Sequence, residues 1–110
     1  MSSEELLKRR AYLLRALADP VRLEIVEFLR EGEKCVCEII PRFGKAQSTI
    51  SKHLDLLYQA GILDRRVDGR RTLYRVKNRE IFRLLEVLDR ILLSQLKPLV
   101  RVIEALRRGS

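Results

Sequence analysis

The sequence predicts a mainly α-helical fold with one small β-hairpin. Apolar residues recur at helical spacing along most of the 110-residue chain. The spacing changes to two between Ile62 and Val76, where apolar and basic residues alternate around Asp68-Gly69. A chain of this length with 46% hydrophobic residues can form one core, so we expect a single domain over residues 1–110.

Two helices are expected first. Residues 3–17 place leucines between charged residues at helical spacing, which predicts an amphipathic N-terminal helix. In the next segment, Asp19 is suited to cap a helix and Pro20 to occupy its first position. Gly32 stands where a left-handed residue would end that helix. Its inward-facing side chains are expected to be Val21, Ile25, Phe28 and Leu29.

A short helix and a longer one should follow. The short helix should start near Cys37, and Pro41 should weaken it because proline disfavours helical backbone at the preceding residue. The longer helix starts at Gln47 and ends at Gly61, and it lacks a good N-cap because Ala46 stands where Ser or Asp would serve. We expect it to bury Ile50, Leu54 and Leu57.

The alternating segment predicts a hairpin over residues 63–76. Its Asp68-Gly69 pair readily adopts the positive φ angles of a type I′ turn. The apolar anchors of the hairpin should be Leu63, Val67, Leu73 and Val76. Five arginines should project from its strands and tip, namely Arg65, Arg66, Arg70, Arg71 and Arg75.

Residues 78–108 predict a long C-terminal helix. Asn78 is suited to cap it, and Pro98 should kink or split it because proline cannot donate a backbone hydrogen bond. Because so much exposed leucine is a liability on a monomer, we expect this helix and the N-terminal helix (residues 1–17) to form a two-fold dimer. A private core within one chain is the alternative. The expected interface residues are Leu6, Leu13, Leu85, Leu88, Leu92 and Leu99.

The positive charge of the chain is concentrated in one stretch. Nine Lys/Arg and three Asp lie between Lys45 and Arg79, which gives that stretch +6 of the formal net charge of +8. A concentrated basic excess is typical of a protein that binds the phosphate backbone of nucleic acid. A solvated basic surface with no partner is the alternative.

The order of elements, with a short helix, a longer helix and an Arg-rich hairpin, is that of a winged helix-turn-helix. The DNA-binding core should span residues 18–77, with the hairpin as its wing. In this fold the second helix of the motif enters the major groove, and Gln at its start can pair bidentately with adenine. The wing arginines are expected to contact phosphates or the minor groove. The DNA-contacting residues of the helix should be Gln47, Ser48, Thr49, Ser51, Lys52 and His53, the last by a hydrogen bond to DNA or to the protein's own backbone.

Four blocks of the sequence carry a family resemblance, LADPVRLEIVEFL, EKCVCEI, QSTISKHLDLLYQAGIL and DGRRTLYRV. With their connections they cover roughly residues 12–76 and resemble the arsenic-repressor (ArsR/SmtB) family of winged helix-turn-helix metal-sensing transcriptional repressors. The resemblance implies a homodimeric repressor of an operator in duplex DNA, an inverted repeat, that leaves the operator when an inducer binds.

Cys35 and Cys37 match the two leading thiols of the family's metalloid-binding box, and Ile40 stands where several members have a third thiol. Side chains two residues apart point to opposite sides of a helix, so a chelate requires non-helical backbone at one cysteine. Thiolates favour soft ions, and we expect trivalent arsenic or antimony as the inducer, with another soft metal ion as a possibility. A thiol redox switch and two inert buried thiols are the alternatives.

Other functions fit less well. The single histidine and the lack of a phosphate-binding glycine loop argue against an enzyme, and no cofactor is required. The family's zinc, nickel or cobalt site on the last helix is not expected, because residues 78–108 contain no histidine. No apolar run approaches ~18 residues, so we expect a cytoplasmic protein without a membrane partner. A helical assembly module that ignores DNA is the remaining alternative.

Overall fold

Five α-helices, one 3-10 turn and three strands occur within residues 1–109, the part of the chain that this computed structural model describes. The predicted helical and hairpin regions are confirmed, and one short strand is additional. The elements are α1 Ser3–Leu17, α2 Pro20–Phe28, a 3-10 turn Leu29–Glu31, β1 Lys34–Cys35, α3 Val36–Phe43, α4 Gln47–Gln59, β2 Leu63–Asp68, β3 Arg71–Val76 and α5 Glu80–Arg108.

The chain divides into two compact units. The first is Met1–Arg79, which holds every element from α1 to β3, and the second begins at Glu80 and contains α5. The core of the first unit consists of aliphatic side chains that are almost completely buried. They include Ile25, Val26, Leu29, Ile39, Ile50, Leu54, Leu57, Ile62 and Leu63.

The caps of α2 confirm the sequence prediction at its start. Asp19 is extended, with φ −153°, and its side chain accepts a hydrogen bond from the backbone N–H of Arg22 at 3.0 Å, with Pro20 opening the helix. At the other end, α2 passes into the 3-10 turn before Gly32. Gly32 has a positive φ of 142° with ψ −171°, so glycine is favoured there, although the left-handed helical conformation predicted for it is wrong.

Helix α3 begins at Val36 because Cys35 caps it. The extended Cys35 accepts a hydrogen bond at Sγ from the Cys37 N–H (3.0 Å), and its own N–H donates to the Glu38 carboxylate (3.1 Å). This is a capping box. The expectation that Pro41 makes this segment a poor helix is wrong, since α3 continues through it to Phe43. Pro41 withholds only its own N–H, and the capping box secures the preceding turn.

The three strands form an antiparallel sheet in the order β1-β3-β2. The hairpin occupies the predicted residues, but its turn is one residue further along than expected. Asp68 pairs with Arg71, which leaves Gly69 and Arg70 as the loop, and only Gly69 has a positive φ (63°). This is the pattern of a type II′ turn, so the predicted type I′ turn is wrong.

Three of the four predicted hairpin anchors are buried. Leu63, Leu73 and Val76 are each at most 6% exposed, whereas Val67 is 73% exposed. The prediction for Val67 is wrong because this residue pairs with Thr72 next to the turn, where no other layer covers it.

Helix α5 is a single helix of 29 residues, Glu80–Arg108. It begins at Glu80, so Asn78 is not the residue directly before the helix, which is the position predicted for it. Pro98 lies inside it without splitting it, because neighbouring turns keep their hydrogen bonds when one N–H is missing. No helix in the described residues is both long enough and apolar enough to span a membrane.

Candidate nucleic-acid interface and cysteine site

The first turns of α4 present exposed polar side chains. Ala46 at the N-cap offers no side-chain hydrogen bond, so the leading N–H groups of the helix are not capped by that residue. The helix is anchored from its other side by Ile50, Leu54 and Leu57, which are buried as predicted. Within residues 1–109, four of the predicted contact residues are exposed and their side chains make no hydrogen bond or ion pair, namely Gln47, Ser48, Thr49 and Lys52.

His53 lies on the side of α4 that contacts α2. Its Nδ1 is 3.2 Å from Nη1 of Arg22 and 3.9 Å from Oδ2 of Asp19, and its side chain is 16% exposed. The backbone N–H of Arg22, followed by the charges of His53 and Arg22, holds the pKa of Asp19 below its ordinary value against partial desolvation. Ser51 is also half-buried.

Arg22 joins three helices of the first unit. Its guanidinium donates to the carbonyl oxygens of Ala16 (2.6 Å) and Arg15 (3.2 Å) at the end of α1, and it contacts His53 on α4. The sequence reasoning missed Arg22, because only the tertiary structure brings residues 15–16, 22 and 53 together. The arrangement fixes α4 against the helices that precede it.

Arg65 connects the hairpin to α4. Its Nη1 donates to Asp55 Oδ1 (3.2 Å) and to the Tyr74 hydroxyl (3.4 Å), and its guanidinium carbon lies 3.9 Å from the ring centroid of Tyr58. The hydrogen bond to Tyr74 is the largest cause of the raised pKa of Arg65. Arg65 was predicted as a DNA contact, and in the structure its side chain connects the hairpin to α4.

Arg66 is paired with Glu33, just before β1. Its Nε and Nη2 donate to the two carboxylate oxygens of Glu33 at 2.9 and 2.8 Å. This bidentate pair lowers the pKa of Glu33 and raises that of Arg66. Glu33 was not singled out from the sequence, because nothing in local spacing links residues 33 positions apart.

The remaining hairpin arginines differ in their pairing. Arg75 pairs with Asp64 at 2.9 Å, and Arg71 pairs with Asp68 at 3.4 Å. Within residues 1–109, Arg70 at the turn is exposed and its side chain has no hydrogen bond or ion pair. The wing therefore carries one free guanidinium at its tip and four that are already held by the protein.

An open groove of about 780 Å³ runs between α4 and the hairpin and reaches the two cysteines. Both of its walls belong to the first unit. Its lining combines guanidinium groups with aromatic rings and includes Cys37, Ser51, Tyr58, Arg66, Arg70, Arg71 and Tyr74.

Cys35 and Cys37 occupy the junction of β1 and α3 and are joined as a disulfide. Cys35 is 2% exposed, while Cys37 is exposed to solvent. The extended backbone of Cys35, with φ −70° and ψ 146°, supplies the non-helical residue that a chelate requires. Ile40, at the position of the third thiol, is half-buried. Within the described residues, no cluster of three or more His, Cys, Asp or Glu could hold a metal ion. After two-electron reduction of the disulfide, the site can supply two thiolate ligands to a soft ion, and the disulfide itself can take part in thiol–disulfide chemistry.

The predicted dimer residues differ in exposure. In α1, Leu6 is exposed and Leu13 is half-buried. In α5, Leu85 is buried, at 7% exposure, whereas three others are exposed, namely Leu88, Leu92 and Leu99. Many further apolar side chains of α5 are also exposed, so the helix presents a long apolar surface to solvent.

Comparison with known proteins identifies similar sequences over nearly the whole chain. A family model described as bacterial regulatory protein, arsR family, matches residues 19–65. An uncharacterized HTH-type transcriptional regulator of Mycobacterium tuberculosis is 36% identical over 110 residues, covering 99% of this chain and 96% of its own. The arsenical resistance operon repressor of Bacillus subtilis is 34% identical over 85 residues, 76% of this chain and 81% of the relative.

A solved structure extends the similarity to the fold. The homodimeric winged helix-turn-helix DNA-binding domain of a possible ArsR-family transcriptional regulator from Mycobacterium bovis superposes with a TM-score of 0.74. It is 30% identical, and the match covers 83% of this chain and 86% of that one. The fold is a winged helix-turn-helix, as the order of elements predicted.

Proposed function

Because the chain belongs to the arsR family of bacterial regulatory proteins, whose members are transcriptional regulators and not enzymes, we propose that it is a cytoplasmic repressor. It binds an operator in duplex DNA as a homodimer and leaves it when Cys35 and Cys37 are bridged. The bridging inducer is trivalent arsenic or antimony, or another soft metal ion. The observation that carries the DNA-binding part is the bare start of α4 beside a hairpin rich in arginine.

Duplex binding follows from how these groups match DNA. An α-helix fits the major groove, and the exposed amide of Gln47 can pair with both the N6 and N7 positions of adenine. Arg70 extends from the tip of the wing toward the phosphates or the minor groove that flank this helix. The basic excess of residues 45–79 supplies the salt-dependent attraction that positions the protein before bases are read.

The dimer is supported by the apolar surfaces of α1 and α5. Exposed apolar surface of this extent on a small protein marks an interaction site, and a two-fold pair buries identical surfaces against each other. The similar domain from Mycobacterium bovis is homodimeric. A two-fold protein places two copies of α4 about one helical turn of DNA apart, roughly 34 Å, which requires an inverted-repeat operator.

The cysteine chemistry is that of a vicinal dithiol. Cys35 caps α3 in the disulfide form. In the reduced protein, the N–H groups and the helix dipole at this position would favour a thiolate. Cys37 is exposed and gives an incoming ion its first sulfur. Two thiolates without a third protein ligand suit a thiophilic ion that keeps a position for a small exogenous donor. The arsenical resistance repressor of Bacillus subtilis is consistent with this class of inducer.

A second candidate signal is oxidation. The direct bond between the two sulfurs favours it, because a peroxide could remove two electrons from the dithiol and leave this disulfide. Both signals bridge the same two sulfurs, so they predict the same loss of DNA binding, and only the reagent distinguishes them.

Operator binding under reducing conditions tests the proposal. Fluorescence anisotropy is measured with a duplex that the reduced protein selects from a random library, and the protein is titrated with arsenite, antimonite, cadmium, zinc and, after removal of reductant, peroxide. We expect arsenite to weaken binding about 100-fold, which corresponds to about 2.7 kcal/mol of coupling.

Cysteine variants provide the controls. The variants Cys35→Ser, Cys37→Ser and the double variant should bind the duplex and ignore arsenite. Release of the double variant by arsenite would refute the inducer site. Release of the wild type by peroxide alone would select the redox signal.

A further inference from the structure

The cysteine segment and the wing share one sheet in a specific register. Cys35 in β1 lies opposite Leu73 in β3, and Leu73 lies opposite Arg66 in β2. These three residues therefore form one line across the sheet, and directly opposed residues project from the same face. A displacement of Cys35 acts on the wing through backbone hydrogen bonds to β3, without passing through α4.

A side-chain contact strengthens this connection. Glu33 holds both Nε and Nη2 of Arg66 at 2.9 and 2.8 Å, reaching from the residue before β1 across β3 to β2. The other acidic partners of the hairpin arginines lie within the hairpin or on α4: Asp64, Asp68 and Asp55. The ion pair of Glu33 and Arg66 joins the wing to the cysteine segment.

Cys35 also has two structural roles at once. It is the last residue of β1 and the N-cap of α3, with its Sγ accepting from the Cys37 N–H and its own N–H donating to Glu38. These contacts are present with the disulfide formed. Reduction of that bond, or insertion of an ion between the two sulfurs, changes the distance between them, so the cap and the backbone of Cys35 must adjust. Because β1 has only two residues, the adjustment is carried directly to Glu33.

We propose that the ion pair of Glu33 and Arg66 is a coupling contact that transmits the state of Cys35 and Cys37 to the wing. The inference rests on the proposed function, since it concerns how that cysteine site reaches the DNA. Arg66 is then a positioning residue that sets the orientation of the wing, while the phosphate contacts come from other groups such as Arg70.

A different role for Arg66 makes the opposite prediction. If Arg66 binds a phosphate and Glu33 only masks it, removing Glu33 would strengthen DNA binding and raise the salt dependence by about one released counterion. It would leave the response to inducer unchanged. The two roles are therefore separated by the ratio of operator affinities without and with inducer, measured for the same variant.

The test uses a charge-swap series on the full-length reduced protein. The variants are Glu33→Arg, Arg66→Glu and the double swap, with Asp68→Arg as the matched control. Glu33→Arg and Asp68→Arg both change the charge by two and both place two arginines opposite each other, but only the first disrupts the link to the cysteine segment. Affinity for the selected duplex is measured by anisotropy without and with arsenite, and again after oxidation with peroxide.

We expect Glu33→Arg to lower the ratio of the two affinities about threefold, in line with the size of a well-formed exposed ion pair. The double swap should restore the ratio, and Asp68→Arg should leave it at the wild-type value. If the ratio of operator affinity without inducer to that with inducer is well above one in the wild type and unchanged in Glu33→Arg, the coupling contact alone is overturned. A wild-type ratio of one with arsenite and with peroxide would overturn the proposed cysteine function together with the coupling contact.

Discussion

The start of α4 and the wing are both predicted to contact DNA, but the structure prepares them in different ways. The side chains of Gln47, Ser48 and Lys52 are exposed and, within the described residues, make no hydrogen bond or ion pair. In the wing, Arg65 and Arg66 are held by partners on other elements. Arg71 and Arg75 are held within the hairpin.

We infer from this difference that α4 recognises the base sequence and that the wing positions the protein on the DNA. Side chains without protein partners lose no internal contact when they pair with a base, so the helix is suited to read sequence. Within the described residues, four of the five hairpin arginines are already paired, which would orient the wing before DNA is bound. Arg70 would bind a phosphate without exchanging a partner. If this division holds, substitutions should affect DNA binding most at the start of α4 and least at Asp19.

Substitution at the start of α4 should have the largest effect, and it should affect specificity. We expect Gln47→Ala to lower the preference for the selected duplex over random duplex about tenfold, because one bidentate base contact is worth roughly 1–3 kcal/mol. The slope of affinity against salt should not change. Competition anisotropy measures both quantities, with Gln59→Ala at the other end of α4 as the control. An equal loss of affinity for the selected and the random duplex would show that Gln47 does not recognise a base.

Arg70→Gln should weaken binding to every duplex about threefold and reduce the salt slope by about one, because it removes one phosphate contact. Arg75→Gln is the comparison, since its guanidinium is already held by Asp64 at 2.9 Å. The salt slope of that variant should change less. Equal changes in the two variants would mean that ion pairing within the wing does not withhold an arginine from DNA.

Arg65→Lys should produce a smaller effect of a different kind. Lysine keeps the charge but lacks the planar guanidinium that stacks on Tyr58 and reaches both Asp55 and Tyr74. We expect faster hydrogen exchange of the hairpin amides and about twofold weaker binding at an unchanged salt slope. Arg71→Lys, which alters a single ion pair, is the control. If hairpin exchange is the same in both variants, Arg65 does not stabilise the hairpin.

Substitution of Asp19 should lower the stability of the fold and leave the affinity for DNA unchanged. Asp19→Ala removes the N-cap of α2 and should cost roughly 1 kcal/mol near neutral pH. The pKa of Asp19 is lowered in the folded protein, so its contribution is present above the unfolded value and is lost as pH falls through the folded value. Urea unfolding at a series of pH values should therefore show that the difference in free energy of unfolding between wild type and variant decreases as the pH falls. Asp19→Asn, which can still cap, should keep most of the stability at pH 7.

The parts of the fold that could be predicted from the sequence depend on local signals. Asp19 and Pro20 define a helix start within two positions, and the alternating pattern around Gly69 defines a hairpin. The lack of a side-chain cap at the start of α4 follows from Ala46, whose side chain cannot accept a hydrogen bond. These features are encoded by neighbours in the chain, so a single sequence is enough to find them.

The features that were missed depend on residues far apart in the chain. Strand β1 has two residues and exists only because β3 pairs with it. The contact of Arg22 with His53 spans 31 positions, and that of Glu33 with Arg66 spans 33. No periodic pattern in the sequence indicates contacts between residues this far apart. The turn type was wrong for a related reason, since the register of the strands, and not the Asp-Gly pair alone, decides which residues form the loop.

Amide chemical shifts of the reduced, ¹⁵N-labelled protein, recorded while the selected duplex is added, test the central claim most directly. Saturable changes should concentrate at the start of α4, residues 47–53, and at the hairpin turn around Arg70. Saturable changes confined to α5, or no change on addition of duplex, would contradict this claim.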